Sequence, residues 1–162
     1  MNLPEKENLQ KIYGETEKSS ARFAHLGEKF AEIYKHDHAE YFTSPGRTEI
    51  IGNHVDHNGG KVIAGSINLD TIGAAAPNGT NVIHIISEGY RDEIVVDLDK
   101  LSKENYAKGT VALLAGMMEG AKKNGFKTAG FDAYVSTNVI AAAGVSSSAS
   151  FEMLIMVIID YF

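Results

Sequence analysis

The chain of 162 residues has no cysteine, no tryptophan and only three prolines, and its longest apolar run is Met153 to Ile159. Without cysteine there is no disulfide, no thiolate nucleophile and no Cys-based zinc site. A run that short is far below the ~20 residues a membrane span needs. The first ten residues, MNLPEKENLQ, are charged and carry no apolar h-region, so no secretion signal is expected. Basic residues are outnumbered, 15 Lys and Arg against 21 Asp and Glu, and the net charge of −6 argues against a nucleic-acid or anionic-membrane surface. No G-x-x-x-x-G-K-[ST] occurs, which excludes a P-loop nucleotide site. No repeat or low-complexity segment interrupts the chain. What remains is one domain of ordinary composition, long enough to bury a core, expected in the cytoplasm.

Apolar residues at helical spacing (Leu9, Ile12, Tyr13, then Phe23, Leu26, Phe30, Ile33) predict two helices over 9–34, broken near Gly14 or Ser19-Ser20. Tyr41-Phe42 starts a first strand, and Thr48 to Ile51 reads as a short one. Residues 61–76 are small and β-compatible, and Pro77-Asn78-Gly79 is a turn. Asn81 to Ser87 and Glu93 to Leu98, rich in Val and Ile, read as a hairpin around Glu88 to Asp92. Ser102 to Asn124 is expected to be helical, with Tyr106, Thr110, Leu114, Met117 and Ala121 in one stripe. Phe131 to Val139 alternates as a half-buried strand. A last helix, apolar nearly all round and so assigned to a core, is expected to start around Ser146 to Ser148. The order αα-β-β-ββ-α-β-α predicts an α+β domain with a mostly antiparallel sheet. The chain closes on Ile158-Ile159-Asp160-Tyr161-Phe162, an apolar end that predicts self-association or packing against another surface.

The densest chemistry lies in Ser44 to Gly60, SPGRTEIIGNHVDHNGG. Arg47 offers a planar fork for phosphate or paired hydroxyls. Asn53, His54, Asp56 and Asn58 each donate to or accept from a hydroxyl-rich ligand. Gly59 and Gly60 permit close backbone approach. The plain alternative for Arg47 is a surface ion pair with Glu49. His54, Asp56 and His57 also preserve most of an H-x-H-x-D-H zinc-hydrolase pattern, short of its first His, so a metal-dependent hydrolase is a rival reading. Asp70 reads as a strand-end turn residue, with a supporting acid near the site as its alternative. A second stretch, Asn138 to Glu152, runs strand, small-residue loop, helix N-terminus. Free N–H groups and three serines there suit phosphate oxygens or a magnesium ion, while simple helix capping by Ser146 to Ser148 is the alternative.

Both stretches resemble one family. GRTEIIGNHVDHNGG is similar to the galactokinase signature of the GHMP small-molecule kinases, G-R-[VI]-N-[LI]-I-G-E-H-[TV]-D-Y-N-G-G, with Asn53 in place of Glu and His57 in place of Tyr. Gly144-Val145-Ser146-Ser147-Ser148-Ala149-Ser150 resembles the family's G-L-S-S-S-A-[SA], at the family spacing, with Ile140 and Ala142 where a Pro and a Gly usually stand. The resemblance implies an N-terminal GHMP-kinase domain over 1–162, of the ribosomal protein S5 domain 2-like type, with helices on one side of the sheet. The sugar signature would occupy 44–60 and the phosphate loop 140–150. Family chains are much longer, so the sequence is expected to be a truncated N-terminal portion, inactive alone, with the C-terminal part of the fold, a catalytic Asp and a magnesium-binding Glu absent. The implied activity is ATP-dependent phosphorylation of galactose or a related hexose at its anomeric hydroxyl. Arg47 would be catalytic, and Arg47, Asn53, His54, Asp56, Asn58 and Gly59 would bind the sugar. Gly144, Val145, Ser146, Ser147, Ser148 and Ala149 would hold ATP, with Ser148 reaching Mg2+. A non-catalytic sugar-binding sensor of the same family is the alternative.

Overall fold

Gly14 ends the first helix, α1 (Lys6–Tyr13), by taking φ 73°, which lets its N–H reach the Gln10 carbonyl. Helix α2 (Glu17–Tyr34) begins at once, its free amides met by the Glu15 carboxylate, which accepts from the N–H of Lys18 at 2.8 Å and of Ser19 at 2.9 Å. The break falls at Gly14, as the spacing predicts, and Ser19 is buried inside α2. The computed structural model describes residues 2–52, 55, 58–102, 104–106, 108–140 and 147–162. The remaining elements are β1 (Glu40–Ile51), β2 (Ile63–Pro77), β3 (Val82–Ser87), β4 (Ile94–Asp97), α3 (Gly109–Lys123), β5 (Phe131–Thr137) and α4 (Ser147–Tyr161).

The strands form one sheet in the order β1-β2-β5-β3-β4, antiparallel throughout except for the β3–β5 pair. The α+β class, the element order and the mostly antiparallel sheet are as expected. The helices, however, lie on both sides of the sheet and not on one. Ile72, Ala74 and Ala76 of β2 pack with Phe23, Leu26 and Phe30 of α2, while Ala75 joins Leu154, Ile155 and Ile158 of α4 on the other face. The run Gly73-Ala74-Ala75-Ala76 is what a strand sandwiched between helix layers requires. A Cβ at Gly73 would already sit 3.3 Å from Leu154 Cδ2. β5 is covered on both faces for the same reason, with Phe131, Ala133 and Val135 toward α3 and α4 and Tyr134 toward α2, and not half-buried.

Three further expectations are corrected. β1 is one strand from Glu40 to Ile51, whose register shifts between Pro45 and Arg47 and again between Glu49 and Ile51. A bulge at Pro45 accommodates a residue with no N–H to give the ladder. Helix α3 starts at Gly109 and not near Ser102, because Gly109 takes φ 74° and the Tyr106 hydroxyl is occupied in accepting the Asp97 N–H at 2.8 Å. Its buried stripe is Leu114, Ala115, Met118 and Ala121. Helix α4 buries Ser150, Leu154, Ile155 and Ile158, while Met153 and Val157 on the same helix are exposed. Among the described residues no helix is long and apolar enough to cross a membrane.

The entry to β5 is a close backbone approach. A Cβ at Gly130 would lie 2.5 Å from the carbonyl oxygens of both Thr80 and Val82, with no side chain able to yield. Gly130→Ala is therefore expected to destabilise the chain by about 1–3 kcal/mol, an overpacking cost. Thermal or denaturant unfolding measures it, and an unchanged melting temperature would show that the β3–β5 join gives way freely.

Candidate active site

The first motif grows out of β1. Past the Pro45 bulge, β1 and β2 continue as a two-stranded ribbon in which Arg47 pairs with Ser66. The Arg47 side chain is about half exposed (47%), and its nearest described carboxylate is Glu49, Nη2 to Oε1 at 3.5 Å. That distance gives a loose ion pair on one strand face and leaves the guanidinium accessible. The ribbon ends at Gly52, φ 90°, where a Cβ would stand 2.4 Å from the Lys61 carbonyl. Gly60 donates its N–H to the Val55 carbonyl at 2.9 Å, and a Cβ there would strike the Val55 side chain at 2.6 Å. These glycines serve a tight chain reversal, as their place in the motif suggests. Asn58 also donates its N–H to Val55, at 3.1 Å. Asn53, His54, Asp56 and His57 lie outside the described residues.

The second motif is fixed by a buried serine. Ser150, in the first turns of α4, donates from Oγ to the Ser44 carbonyl at 2.8 Å and lies 2.8 Å from Thr71 Oγ1. Thr71 in turn is 2.8 Å from Thr137 Oγ1, which accepts the Val139 N–H at 3.1 Å. This chain of hydroxyls pins the start of α4 to the first residue of the Ser44 to Gly60 stretch, 106 positions earlier in sequence. The buried groups satisfy one another, which is what permits them to be buried. Ser147, Ser148 and Ala149 follow the same helix start, with Ser148 exposed. Gly144, Val145 and Ser146, with Ile140's neighbours Ala141 to Ala143, lie outside the described residues.

Ser147 and Ser148 open onto a cleft of about 570 Å³. Thr71, Thr137 and Val139 form its floor, Ser87 to Ile94 its hairpin wall, and Lys108 to Val111 at the start of α3 its far side. The volume lies within the range of small-molecule and cofactor sites. Its polar groups are the serine and threonine hydroxyls, Lys108, Arg91 and the acids Glu88, Asp92 and Glu93. The Ser136 hydroxyl at 2.6 Å and His25 at 2.8 Å hold the Glu88 carboxyl below its usual range, so the rim keeps an anion there. Arg47, Asn58 and Gly59 do not line this cleft; they sit along and beyond the β1 ribbon.

The galactokinase galactose-binding signature matches residues 28–77. The chain is 37% identical over 144 residues to the galactokinase of Lactococcus lactis subsp. lactis, covering 83% of this chain and 35% of that protein. It is 38% identical over 132 residues to the Lactiplantibacillus plantarum galactokinase, covering 80% and 34%. The crystal structure of Lactococcus lactis galactokinase complexed with galactose superposes with a TM-score of 0.73 at 36% identity, over 82% of this chain and 35% of that one. In sequence and in fold the chain is similar to part of the galactokinases.

The wider GHMP fold is visible too, in a TM-score of 0.57 to the Methanococcus jannaschii mevalonate kinase at 16% identity, over 73% of this chain and 38% of that one. The chain spans about a third of the length of the curated relatives it matches. These comparisons give the metal-hydrolase reading no support. Among the described residues no group of three His, Asp or Glu is placed to hold a metal ion. Two parts of the cleft escaped sequence reading: Tyr90 to Glu93 and Lys108 to Val111. The charged turn after β3 was the available signal for the first and alone reads as a surface connection, while Lys108 to Val111 read as the interior of the expected 102–124 helix and stand instead at the start of α3.

Proposed function

We propose that the intact protein phosphorylates galactose or a closely related hexose at its anomeric hydroxyl, with Mg·ATP as donor, in the cytoplasm. The observation that carries the reading is the Ser150–Ser44 hydrogen bond, which ties the serine motif to the root of the sugar signature. The bond joins two stretches 106 positions apart in sequence, which supports reading them as sugar and nucleotide motifs kept close enough for direct transfer between two bound molecules. The cleft suits the nucleotide: its size, its hydroxyl floor and the start of α4 fit a phosphate-bearing ligand. Ser147, Ser148 and Ala149, with Gly144, Val145 and Ser146 before them, would hold the phosphates, and Ser148 would reach the metal. Magnesium supplies charge neutralisation on the phosphates when bound. Arg47, Asn53, His54, Asp56, Asn58 and Gly59 would hold the sugar. Arg47 would stabilise the anomeric oxygen as it sheds its proton and the charge that builds on the transferred group.

The 162 residues alone are expected to bind ligand without turning it over. Catalysis is tested in a chimera in which this chain replaces the region it matches in the Lactococcus lactis galactokinase. ATP-dependent consumption of galactose or another hexose by that chimera supports the reading. Sugar binding without turnover would make the chain the ligand-binding part of a sensor.

The serines give a sharper test. Replacing Ser147 and Ser148 together by Ala is expected to weaken Mg·ATP binding by roughly tenfold to a hundredfold, since a hydrogen bond to a charged group contributes about 1.5–3 kcal/mol. Sugar affinity should stay within about twofold, the serines facing the cleft and not the ribbon. Calorimetry with each ligand separates the two effects. Unchanged ATP affinity would return these serines to helix capping.

A further inference from the structure

Asp70 is a carboxylate only 3% exposed, in the middle of the sheet, directly before the Thr71 that Ser150 holds. A buried charge is sustained only by partners, and the Asp70 carboxylate has three of them, from three elements. Arg22 Nη1 of α2 lies 2.9 Å from its Oδ1. The Tyr13 hydroxyl of α1 donates to Oδ2 at 2.6 Å, and Thr43 Oγ1 of β1 donates to the same oxygen at 2.7 Å. The Asp70 carbonyl accepts the Asn138 N–H at 2.9 Å. With the Asn138 amide turned so that its oxygen faces α2, Arg22 Nη2 and Nε also donate to it, each at 3.3 Å. Burial first, then the bond to Asp70, pushes the Tyr13 hydroxyl up to about 12, so it stays protonated and keeps donating.

Two of these partners stand where the two motifs leave the sheet. Thr43 immediately precedes Ser44, and Asn138 is the first residue after β5, on the way to the 140–150 loop. Thr71 and Ser150 secure the same two departures from the α4 face, whereas Asp70 and Arg22 secure them from the α2 face. We infer that Asp70, held by Arg22, is a positioning residue that fixes the departure of the sugar-signature ribbon and of the serine loop relative to each other. It touches neither ligand and acts through Thr43 and Asn138. The consequence for ligand binding rests on the kinase reading above; the anchoring itself does not.

Hydrogen exchange on the purified 162-residue chain tests the anchoring. In Arg22→Met, peptides covering 44–60 and 137–150 are expected to exchange on the order of tenfold faster, with 82–97 and 109–123 unchanged. Arg22→Lys, which keeps the charge, should recover most of the protection. Tyr13→Phe, which retains the ring against Phe23, gives a milder version of the same local pattern should Arg22→Met fold poorly. Mg·ATP affinity, measured on the same variants, is expected to fall roughly tenfold with Arg22→Met, because small displacements of binding groups are costly. Faster exchange spread evenly over all four regions would make Asp70 a general core prop, and no change anywhere would make the cluster incidental; either overturns the inference. Local acceleration with unchanged ATP affinity overturns the positioning role. If the unaltered chain binds no Mg·ATP, the nucleotide reading fails while the exchange result still decides whether Asp70 anchors the two loops.

Discussion

Arg47→Ala in the galactokinase chimera is expected to lower kcat by about two to three orders of magnitude, the usual loss when one preorganised group facing developing charge is removed. The melting temperature should barely move. Arg47 is half exposed and its contact with Glu49 at 3.5 Å is loose, so an exposed pair of this kind contributes little to folding. Its strand neighbours hold the ribbon through backbone pairing with Gly65 and Ser66, which does not depend on the side chain. The loss in rate is thus separable from any loss of fold. Arg47→Lys should recover only part of the rate, because an ammonium gives a point charge without the planar fork. Steady-state kinetics beside a thermal melt make the comparison. A variant that keeps its rate to within about threefold would leave Arg47 a surface residue paired with Glu49, the plain alternative its geometry also allows.

That ambiguity marks how far sequence reaches in this chain. The order of elements was legible because each carries its own period: helical spacing from Leu9 to Ile33, β-branched runs in Val82 to Ser87 and Ile94 to Asp97. The two-sided burial of β2 was not, since Gly73 to Ala76 shows no polar alternation and small residues read as weakly polar. Only the presence of helices on both faces explains why they are small. The start of α3 was misplaced because Tyr106 and Thr110 continue a helical stripe across Gly109, whose positive φ breaks the helix there. For the site, the two motifs were legible as chemistry, and Ser150 was legible only as the last letter of one of them. Its bond to Ser44 depends on how β1, β2 and α4 stack, which no local pattern encodes. The hairpin wall of the cleft was hidden for the same reason, as Tyr90 to Glu93 becomes a site wall only when β3 lies beside β5. Asp70 was legible as a strand-end turn residue or as a supporting acid near the site; it lies within β2 and not at a turn, and its carboxylate partners come from residues 13, 22 and 43.

The change of greatest consequence for substrate choice is expected at Asn53, where the family signature usually has Glu. A carboxylate accepts hydrogen bonds strongly and never donates, whereas Asn is neutral, one methylene shorter, and both donates and accepts. A sugar hydroxyl held by Glu would meet a weaker and more distant acceptor here, or a bridging water. His54, Asp56 and Asn58 are retained, so binding in the same place should survive while selectivity at this one contact relaxes. Sites that pair a specific hydroxyl discriminate by orders of magnitude, because the wrong ligand leaves a polar group without its partner. The chimera is therefore expected to use galactose poorly relative to some other hexose or modified hexose. Asn53→Glu should raise kcat/KM for galactose by roughly tenfold to a hundredfold, the worth of one hydrogen bond to a charged group. The preferred hexose should gain little or lose. A panel of sugars assayed with ATP, comparing both versions, gives the result directly. If galactose is already the best substrate and Asn53→Glu leaves it unchanged, Asn and Glu serve the same hydroxyl equally, and the selectivity of this site lies with His54 and Asp56.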